Sequence, residues 1–390
     1  MIRRIGLGAI ALLLLSGMAH AQSSADQRCS AGWLEIELAA ALEACKAVLA
    51  REDLTDAARA AAMKIEARAL HRLGRLDEAI LGYEGALRLA PDDPELHLRR
   101  GWTAYDKRDL ERVFDLAQQA LKLKPDYAEA YDLIGAAHAV SGPEKFAGAK
   151  AAYQQAVRLD PSEPMPRWHL YQLLRQDYPA EALREIEALL QLPAVATTKV
   201  NGVIWANKQT SFRIGGNLAR ALLLKSLGRT NEARQAVDQA IKDDPQDGLT
   251  WAWRAESNLS SASEAVVQAD VDRALALDPD HWFARYVQAK VHFYGKRYDA
   301  AAADFAIAAK LDPKLGNVRW WHAQTLRELG RVEEASAQAI AAFRVDPNFI
   351  YRKASALQKR GYLVAVPPGQ DPWPAIDDAA RACMLDKDCG

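Results

Sequence analysis

The sequence predicts an all-α fold in which pairs of antiparallel helices stack into a solenoid. Three observations support this prediction: a proline recurs at a fixed interval, small and aromatic residues precede it at helical spacing, and a glycine recurs between the two helices of a pair. Self-similarity at a fixed period is typical of repeat proteins, in which each unit packs only against its neighbours. We therefore expect one array of repeats across most of the 390 residues.

The prolines set the length of the repeat. Pro91 and Pro125 are 34 residues apart. The same interval separates Pro245, Pro279, Pro313 and Pro347. Pro161 follows Pro125 by 36 residues, which predicts a two-residue insertion within 142–146. Each proline is expected to end a helix, because it lacks an amide hydrogen and crowds the preceding turn.

The helix before each proline carries two alanines and one aromatic residue on a single face. Ala79, Tyr83 and Ala86 precede Pro91, and their i, i+4, i+7 spacing places them on one side of a helix. The same arrangement recurs at Ala149, Tyr153 and Ala156 and at Ala301, Phe305 and Ala308. The alanines are expected to let a neighbouring helix approach closely, while the aromatic ring fills the remaining gap.

Small residues also mark the first helix of each pair and the turn that follows it. Where the paired helices are expected to cross, the sequence has Ala67, Gly101, Gly135, Ala221, Ala255, Ala289 and Ala323. In the turn it has Gly74, Gly228 and Gly330. Glycine at this place is expected to end the first helix in the left-handed conformation.

Together these residues resemble the tetratricopeptide repeat (TPR) in length, order and type. The resemblance covers about residues 60–349 and implies an α-solenoid, a right-handed superhelix of antiparallel helix pairs with about eight repeats. Repeats 1–4 are expected in residues 60–193 and repeats 5–8 in residues 214–349. Between them, residues 194–213 are β-prone and rich in turn residues, and we expect either a short hairpin or an ordered loop there.

Segments outside the repeats are predicted at both ends. Residues 350–363 are expected to form an amphipathic capping helix over the last apolar face, and residues 364–390 a tail with a short helix over 376–384. Residues 22–59 are expected to form a cysteine-bearing helical cap, with one helix over 29–50. A cysteine-bearing helix that opens a TPR array resembles a class of exported bacterial TPR proteins.

The first 21 residues are predicted to be a signal peptide. Arg3 and Arg4 give a positive start, residues 5–18 form an apolar core, and Ala19-His20-Ala21 fits the cleavage pattern. A Sec-type signal cleaved between Ala21 and Gln22 implies a periplasmic or secreted protein. We expect no integral membrane segment after cleavage, since no other apolar stretch is long enough to cross a bilayer.

Four cysteines fall into two close sequence pairs. Export places thiols in an oxidising compartment, where they tend to pair. We predict the disulfides Cys29–Cys45 and Cys383–Cys389, although four cysteines allow three pairings and the sequence does not exclude the crossed ones. Each bridge would restrain one end of the chain, where a solenoid frays first.

Composition and motifs argue against several functional classes. The 50 basic and 51 acidic residues nearly balance, so the basic excess of a general nucleic-acid binder is missing. The sequence contains no metalloprotease, nucleophile-elbow, phosphate-loop or dinucleotide-binding motif. We therefore predict that the protein is not an enzyme and uses no cofactor or metal.

The TPR resemblance implies which residues face a partner, because the first helices of TPR repeats line a concave groove. The residues at those positions, taken as the predicted groove set, are Lys64, Arg68, Arg99, Trp102, Tyr105, Trp168, Gln172, Trp253, Tyr286, Lys290, Phe293, Tyr294, Asn317, Trp320, Trp321, Gln324 and Arg327. Aromatic residues interspersed with Arg, Gln and Asn suit the binding of an extended or helical peptide. Packing between helices is the alternative explanation for the aromatic members.

The predicted groove is compatible with three functions. The first is a non-catalytic scaffold or adaptor that binds protein or peptide partners in the groove. The second is a module that binds cell-wall glycan or oligosaccharide, since aromatic faces also stack on sugars. The third is an enzyme whose site is shared between repeats, and the missing catalytic motifs argue against it.

Overall fold

The computed structural model describes residues 24–34, 37–193, 199–200, 210–346, 349, 353, 357–363 and 371–386, with the backbone alone at 32–33, 199–200 and 210–212. The predicted signal peptide and Cys389 lie outside the described residues. The chain divides into two compact units, unit 1 (Met1–Ala194) and unit 2 (Val195–Gly390). Both units consist of antiparallel helix pairs, which confirms the predicted all-α fold class.

Unit 1 has helical residues at 24–28, two further N-terminal helices and then four helix pairs. Its helices are α1 (Ala31–Leu34), α2 (Leu38–Leu49), α3 (Asp56–Arg72), α4 (Leu76–Leu89), α5 (Pro94–Asp106), α6 (Leu110–Leu123), α7 (Ala128–Ser141), α8 (Phe146–Leu159), α9 (Pro164–Leu174) and α10 (Pro179–Leu190). The second helix of each pair packs on the first helix of the next, so the pairs form a continuous stack within the unit.

Unit 2 begins with two paired strands and continues with helix pairs and a tail helix. The strands β1 (Lys199–Val200) and β2 (Thr210–Ser211) are antiparallel, with Lys199 opposite Ser211. The helices are α11 (Phe212–Ser226), α12 (Thr230–Asp243), α13 (Gly248–Asn258), α14 (Glu264–Leu277), α15 (Trp282–Tyr294), α16 (Tyr298–Leu311), α17 (Gly316–Glu328), α18 (Val332–Val345) and α19 (Trp373–Leu385). The short strands lie within the segment predicted to be β-prone.

The glycines in the turns between paired helices have the predicted left-handed conformation. Gly74, Gly228 and Gly330 have φ values of +76°, +74° and +73°, the left-handed conformation that glycine adopts without steric cost. Arg108 and Lys296 hold the same place in other repeats with φ of +64° and +59°. A side chain in this conformation is strained, so these two turns form at some energetic cost.

Close packing between helices explains the small residues. Ala79, Tyr83 and Ala86 are completely buried in the core of unit 1. A Cβ atom added at Gly82 would lie 2.9 Å from the Cβ atom of Ala67, so α3 and α4 approach each other almost backbone to backbone. The predicted insertion is also visible, because Gly142 has φ of +132° and a 3-10 turn follows at Pro143–Lys145.

The N-terminal cap differs from the single helix expected over 29–50. The described residues of that range form two helices, α1 and α2, and Glu37 has an extended backbone with φ of −152° directly before α2 begins. Cys29 and the fully buried Cys45 of α2 are joined, with their sulfur atoms 2.08 Å apart. The expected partner of Cys383, Cys389, lies outside the described residues, so the second predicted pair stays a prediction.

The C-terminal tail contributes more to the core than the sequence suggested. Helix α19 is longer than the predicted 376–384 segment and packs on α18. Its Ile376, Cys383 and Met384 belong to one buried cluster with Phe343 of α18. Leu357, from the segment predicted to cap the array, is buried in the same cluster, so both segments cover the last apolar face.

No helix in the described ranges is both long enough and apolar enough to cross a bilayer.

Candidate functional site

The predicted groove set is divided between the two units, and each unit has a cavity next to its members. Seven members belong to unit 1: Lys64, Arg68, Arg99, Trp102, Tyr105, Trp168 and Gln172. Ten belong to unit 2: Trp253, Tyr286, Lys290, Phe293, Tyr294, Asn317, Trp320, Trp321, Gln324 and Arg327. The two cavities differ in size, charge and wall composition.

The unit 1 cavity has a volume of about 850 Å³ and is lined mainly by polar and charged side chains. Arg68, Arg99 and Trp102 of the predicted groove set line it. Lys64, Tyr105, Trp168 and Gln172 do not, and Trp168 is only 3% exposed. Trp168 therefore packs between helices, and its predicted contact with a partner remains untested.

Arg99 in the lining of this cavity, and Lys64 outside the lining, are each paired with a carboxylate of the following repeat. Lys64 donates hydrogen bonds to Asp93 at 3.0 Å and to Glu95 at 2.9 Å. Arg99 donates to Glu129 at 2.7 Å and also forms an ion pair with Glu95 at 3.5 Å. Burial alone would raise the pKa of Glu95, but the bonds from Lys64 outweigh it and lower that pKa. The result is a ladder of alternating charges that joins consecutive repeats of unit 1.

Two histidines of the unit 1 cavity are held by aspartates in the same way. His71 Nε2 lies 2.6 Å from an oxygen of Asp106, and Thr103 lies 3.3 Å from the other ring nitrogen. His169 Nδ1 lies 2.8 Å from Asp132, whose side chain is buried. The imidazoles donate to carboxylates in both pairs, so these two histidines are held in place at the wall of the cavity.

The unit 2 cavity brings together more of the predicted groove set. It has a volume of about 350 Å³. The predicted residues that line it are Phe293, Asn317, Trp320, Trp321, Gln324 and Arg327. Sequence reasoning missed two further lining residues, Phe349 and Lys353, because they follow the last repeat, where the family's groove positions no longer apply.

Aromatic rings form the walls of this cavity. Trp321 meets Phe293 edge to face at 5.4 Å between ring centroids and stacks on Phe305 at 6.4 Å. Trp320 contacts Phe349 at 5.9 Å and is only 5% exposed, so part of its surface belongs to the core. Such interlocked rings lose little conformational entropy on binding, which favours them as anchors for a ligand.

The remaining predicted residues of unit 2 lie outside this cavity. Lys290 is 7% exposed and donates a 2.7 Å hydrogen bond to Glu256, while its ammonium lies 5.3 Å from the Trp321 ring. Trp253 and Tyr286 are buried, whereas Tyr294 is 56% exposed. Lys290 therefore contacts the Trp321 ring without lining the cavity, and Tyr294, 6.1 Å from Trp321 between ring centroids, extends the aromatic surface beyond the cavity.

Polar groups complete the rim of the unit 2 cavity. Arg327 donates a hydrogen bond of 3.2 Å to the backbone carbonyl oxygen of Asp386, just after α19. The ammonium of Lys353 lies 4.8 Å from the centroid of the Trp320 ring. Burial lowers the pKa of Lys353, and the nearby charge of Arg360 adds to the effect. Apolar walls with a few directed donors are the usual composition of a ligand site.

The chemistry available here is that of binding. Within the described residues, no group of three or more His, Cys, Asp and Glu side chains converges as a metal site requires. The unit 2 cavity offers aromatic faces, two amides and two cations. This combination suits the recognition of a side chain with its flanking backbone.

Comparison with known proteins identifies the repeat. The family model described as the tetratricopeptide repeat matches residues 37–94, 66–128 and 268–315. The Hsp70-Hsp90 organizing protein of Triticum aestivum is 33% identical over 99 residues, which are 25% of this chain and 17% of that protein. The protein O-mannosyl-transferase TMTC1 of Homo sapiens is 29% identical over 113 residues, 28% of this chain and 13% of that protein. The chain thus spans less than a fifth of either relative.

Two solved structures align with parts of this chain. The Cut9–Hcn1 hetero-tetramer of the APC/C aligns over 82% of this chain and 58% of that chain, with 13% identity and a TM-score of 0.48. YrrB, described as a TPR protein with an unusual peptide-binding site, aligns over 53% of this chain and 97% of that chain. Its identity is 17% and its TM-score 0.39.

Proposed function

Because this chain is a tetratricopeptide-repeat protein, we propose that it is a non-catalytic scaffold that binds protein or peptide partners. The observation that carries the proposal is the unit 2 cavity, where six predicted groove residues line one aromatic pocket. An extended or helical peptide would place one side chain between the rings and its backbone against the amides of Asn317 and Gln324. Trp321 is the central anchor, since it contacts Phe293, Phe305 and Lys290 at once.

The relatives leave the choice between scaffold and enzyme open. One is named an organizing protein and the other a transferase, and both match over a small part of their length. The cavity favours the scaffold, because its lining contains aromatic rings, amides and cations but no nucleophile beside a base. Its partners would be proteins, and neither nucleic acid nor a cofactor is required.

We further propose that the protein acts in the periplasm or outside the cell. The predicted signal peptide of residues 1–21 supports this location, and so does the disulfide that joins Cys29 and Cys45. An alkaline phosphatase fusion to the C-terminus tests it, because that enzyme folds only after export. Phosphatase activity that persists when residues 1–21 are deleted would contradict the proposal.

The binding function is tested by comparing two tryptophan variants. Trp321→Ala removes the central wall of the unit 2 cavity. Trp251→Ala is the matched control, because this tryptophan of the same unit lies outside the cavity and bonds the carbonyl oxygen of Pro245. Tagged proteins are incubated with periplasmic extract, and captured proteins are quantified by mass spectrometry after circular dichroism confirms that both variants fold.

We expect the wild type and Trp251→Ala to retain the same partners and Trp321→Ala to lose them. Identical partners for all three proteins would contradict a role for the cavity. Co-sedimentation with purified cell wall, lost in Trp321→Ala alone, would instead favour the glycan-binding function.

A further inference from the structure

The charge of the unit 2 cavity indicates which kind of peptide it accepts. Its eight lining residues include the cations Arg327 and Lys353 and the amides Asn317 and Gln324, but no carboxylate. The unit 1 cavity differs, because its lining holds carboxylates such as Glu129 that pair with its cations. The unit 2 cavity is therefore the more electropositive of the two, although the whole chain is almost neutral.

Lys353 is the clearest source of this unbalanced charge. Its ammonium lies over the face of Trp320, and in the described part of the chain it forms no ion pair with a carboxylate. Two lysines of the first helices differ from it: Lys64 is bonded to two carboxylates, and Lys290 is bonded to Glu256. A partly buried ammonium without a counter-ion is stabilised when a ligand supplies one.

Arg327 is the second cation of the same rim, and its guanidinium also forms an ion pair with the neighbouring Glu328 at 3.4 Å, so Lys353 carries the uncompensated charge. Its guanidinium already holds the carbonyl oxygen of Asp386, and its position is therefore fixed before a ligand arrives. Trp321 and Phe293 provide an apolar wall of the same cavity. The cavity of about 350 Å³ is at the small end of ligand sites, which suits one large side chain and its neighbour.

We propose that the unit 2 cavity binds an acidic peptide segment of a partner protein, with an internal aspartate or glutamate next to an aromatic or aliphatic residue. The side-chain carboxylate pairs with the ammonium of Lys353, and the apolar neighbour packs against Trp321. This inference rests on the proposed scaffold function and specifies the chemistry of its partner. The commitment to an acidic segment comes from charge complementarity at the rim.

A randomised 12-residue peptide library displayed on phage tests the proposal without knowledge of the partner. The library is selected on the immobilised full chain, on Lys353→Gln and on Lys359→Gln. Lys359 is the matched control, since it is an exposed lysine of the same segment. Trp321→Ala provides the background for peptides that do not use the cavity.

We expect peptides selected by the wild type and by Lys359→Gln to share an acidic residue at fixed spacing from an apolar one. This pattern should disappear in peptides selected by Lys353→Gln. A selected peptide is then synthesised with its acid and with the corresponding amide, and affinity is measured by fluorescence anisotropy. The amide peptide should bind the wild type about tenfold more weakly than the acid peptide, the factor that corresponds to about one charge-assisted hydrogen bond. The two peptides should bind Lys353→Gln with affinities that differ by less than about twofold.

The outcomes separate this inference from the scaffold function. Peptides enriched without an acidic excess, or with an excess unchanged in Lys353→Gln, would overturn the inference and leave the scaffold function standing. No enrichment above the Trp321→Ala background would overturn both. Self-association of the wild type in sedimentation, abolished by Lys353→Gln, would identify a second copy as the occupant and overturn the acidic-partner proposal.

Discussion

The ring of Tyr153 lies directly against Gly135, so that a Cβ atom added at residue 135 would stand 2.5 Å from ring atom Cδ1. Gly135 is the small residue of α7, and Tyr153 is the buried aromatic of α8 in the same pair. The contact gives a physical reason for two features of the repeat. The aromatic ring fills the space beside the helix, and the small residue provides that space.

Replacing Gly135 should therefore destabilise unit 1. Gly135→Ala gains roughly 1 kcal/mol of helix propensity, but it forces the buried Tyr153 ring to move, and overpacking of a core typically costs about 1–3 kcal/mol. Gly101→Ala is the matched control, since its added Cβ would meet the flexible end of Leu133 at 2.7 Å and would lie at an ordinary contact distance of 3.5 Å from Leu116 Cβ. Urea denaturation should show a lower free energy of unfolding for Gly135→Ala than for Gly101→Ala, and equal effects would contradict the packing argument.

The strained turn between α5 and α6 predicts a stabilising substitution. Arg108 has a left-handed backbone with φ of +64°, at the place where Gly74 has +76° in the preceding repeat. Arg108→Gly removes the steric cost of a side chain there, and we expect a gain of about 0.5–1 kcal/mol in the free energy of unfolding. Gly74→Ala should lose a similar amount. Thermal or urea denaturation measures both, and a loss of stability in Arg108→Gly would show that its side chain makes a compensating contact.

The Cys29–Cys45 bridge should stabilise the N-terminal cap locally. It closes a loop with a sequence separation of 16 residues, and constraining a loop of about that length is worth about 3 kcal/mol. Reduction, or Cys29→Ala, should therefore accelerate amide hydrogen exchange in α2. Exchange in α9 serves as the internal control, since this helix lies farther along unit 1. Unchanged exchange in α2 would mean that packing on α3 alone holds the cap.

Much of the fold could be predicted from the sequence because the repeats form the same local interactions. Pro91 and its equivalents end helices, Gly74 ends them in the left-handed conformation, and Tyr83 fills the core, each for a reason that acts within one repeat. The helix α19 could not be placed in this way. It occurs once, and Met384 meets Phe343 only through tertiary packing.

The candidate site was predictable in part for the same reason. The family's groove positions identified Trp321 and Arg327, which share a cavity. They could not indicate that Lys64 is neutralised by Glu95, because that pair depends on how one repeat stacks on the next. They also could not find Lys353, which lies beyond the last repeat.

His322 should make unit 2 less stable in mild acid. Burial, together with the nearby positive charges of Arg331 and Arg319, lowers the pKa of His322 to about 4, and Glu334 opposes this shift. In the unfolded chain histidine titrates near 6.5, so between about pH 6.5 and 4 the unfolded state binds the extra proton and unfolding becomes easier as the pH falls. Above that window His322 contributes no pH dependence, and below it the loss is complete.

The test compares stability at pH 7 and pH 5. His322 alone should cost up to about 2 kcal/mol at pH 5, reduced by solvent screening of its partly exposed ring. His322→Gln should lose less stability than the wild type between the two pH values, as measured by urea denaturation. Other titrating groups are common to both proteins and cancel in the comparison. An identical pH dependence would assign the acid sensitivity to groups other than His322.

Two neighbouring residues of α19 test whether the tail is part of the core of unit 2. Met384 is completely buried, whereas Leu385 is 71% exposed. Met384→Ala should lower the free energy of unfolding by about 2–5 kcal/mol, because it leaves a cavity beside Phe343, while Leu385→Ala should change it by less than about 0.5 kcal/mol. Thermal denaturation measures the difference, and equal melting temperatures would mean that α19 adds little to the core.

Trp320 belongs to the same buried cluster, so we also expect Met384→Ala, but not Leu385→Ala, to loosen one wall of the unit 2 cavity and weaken peptide binding.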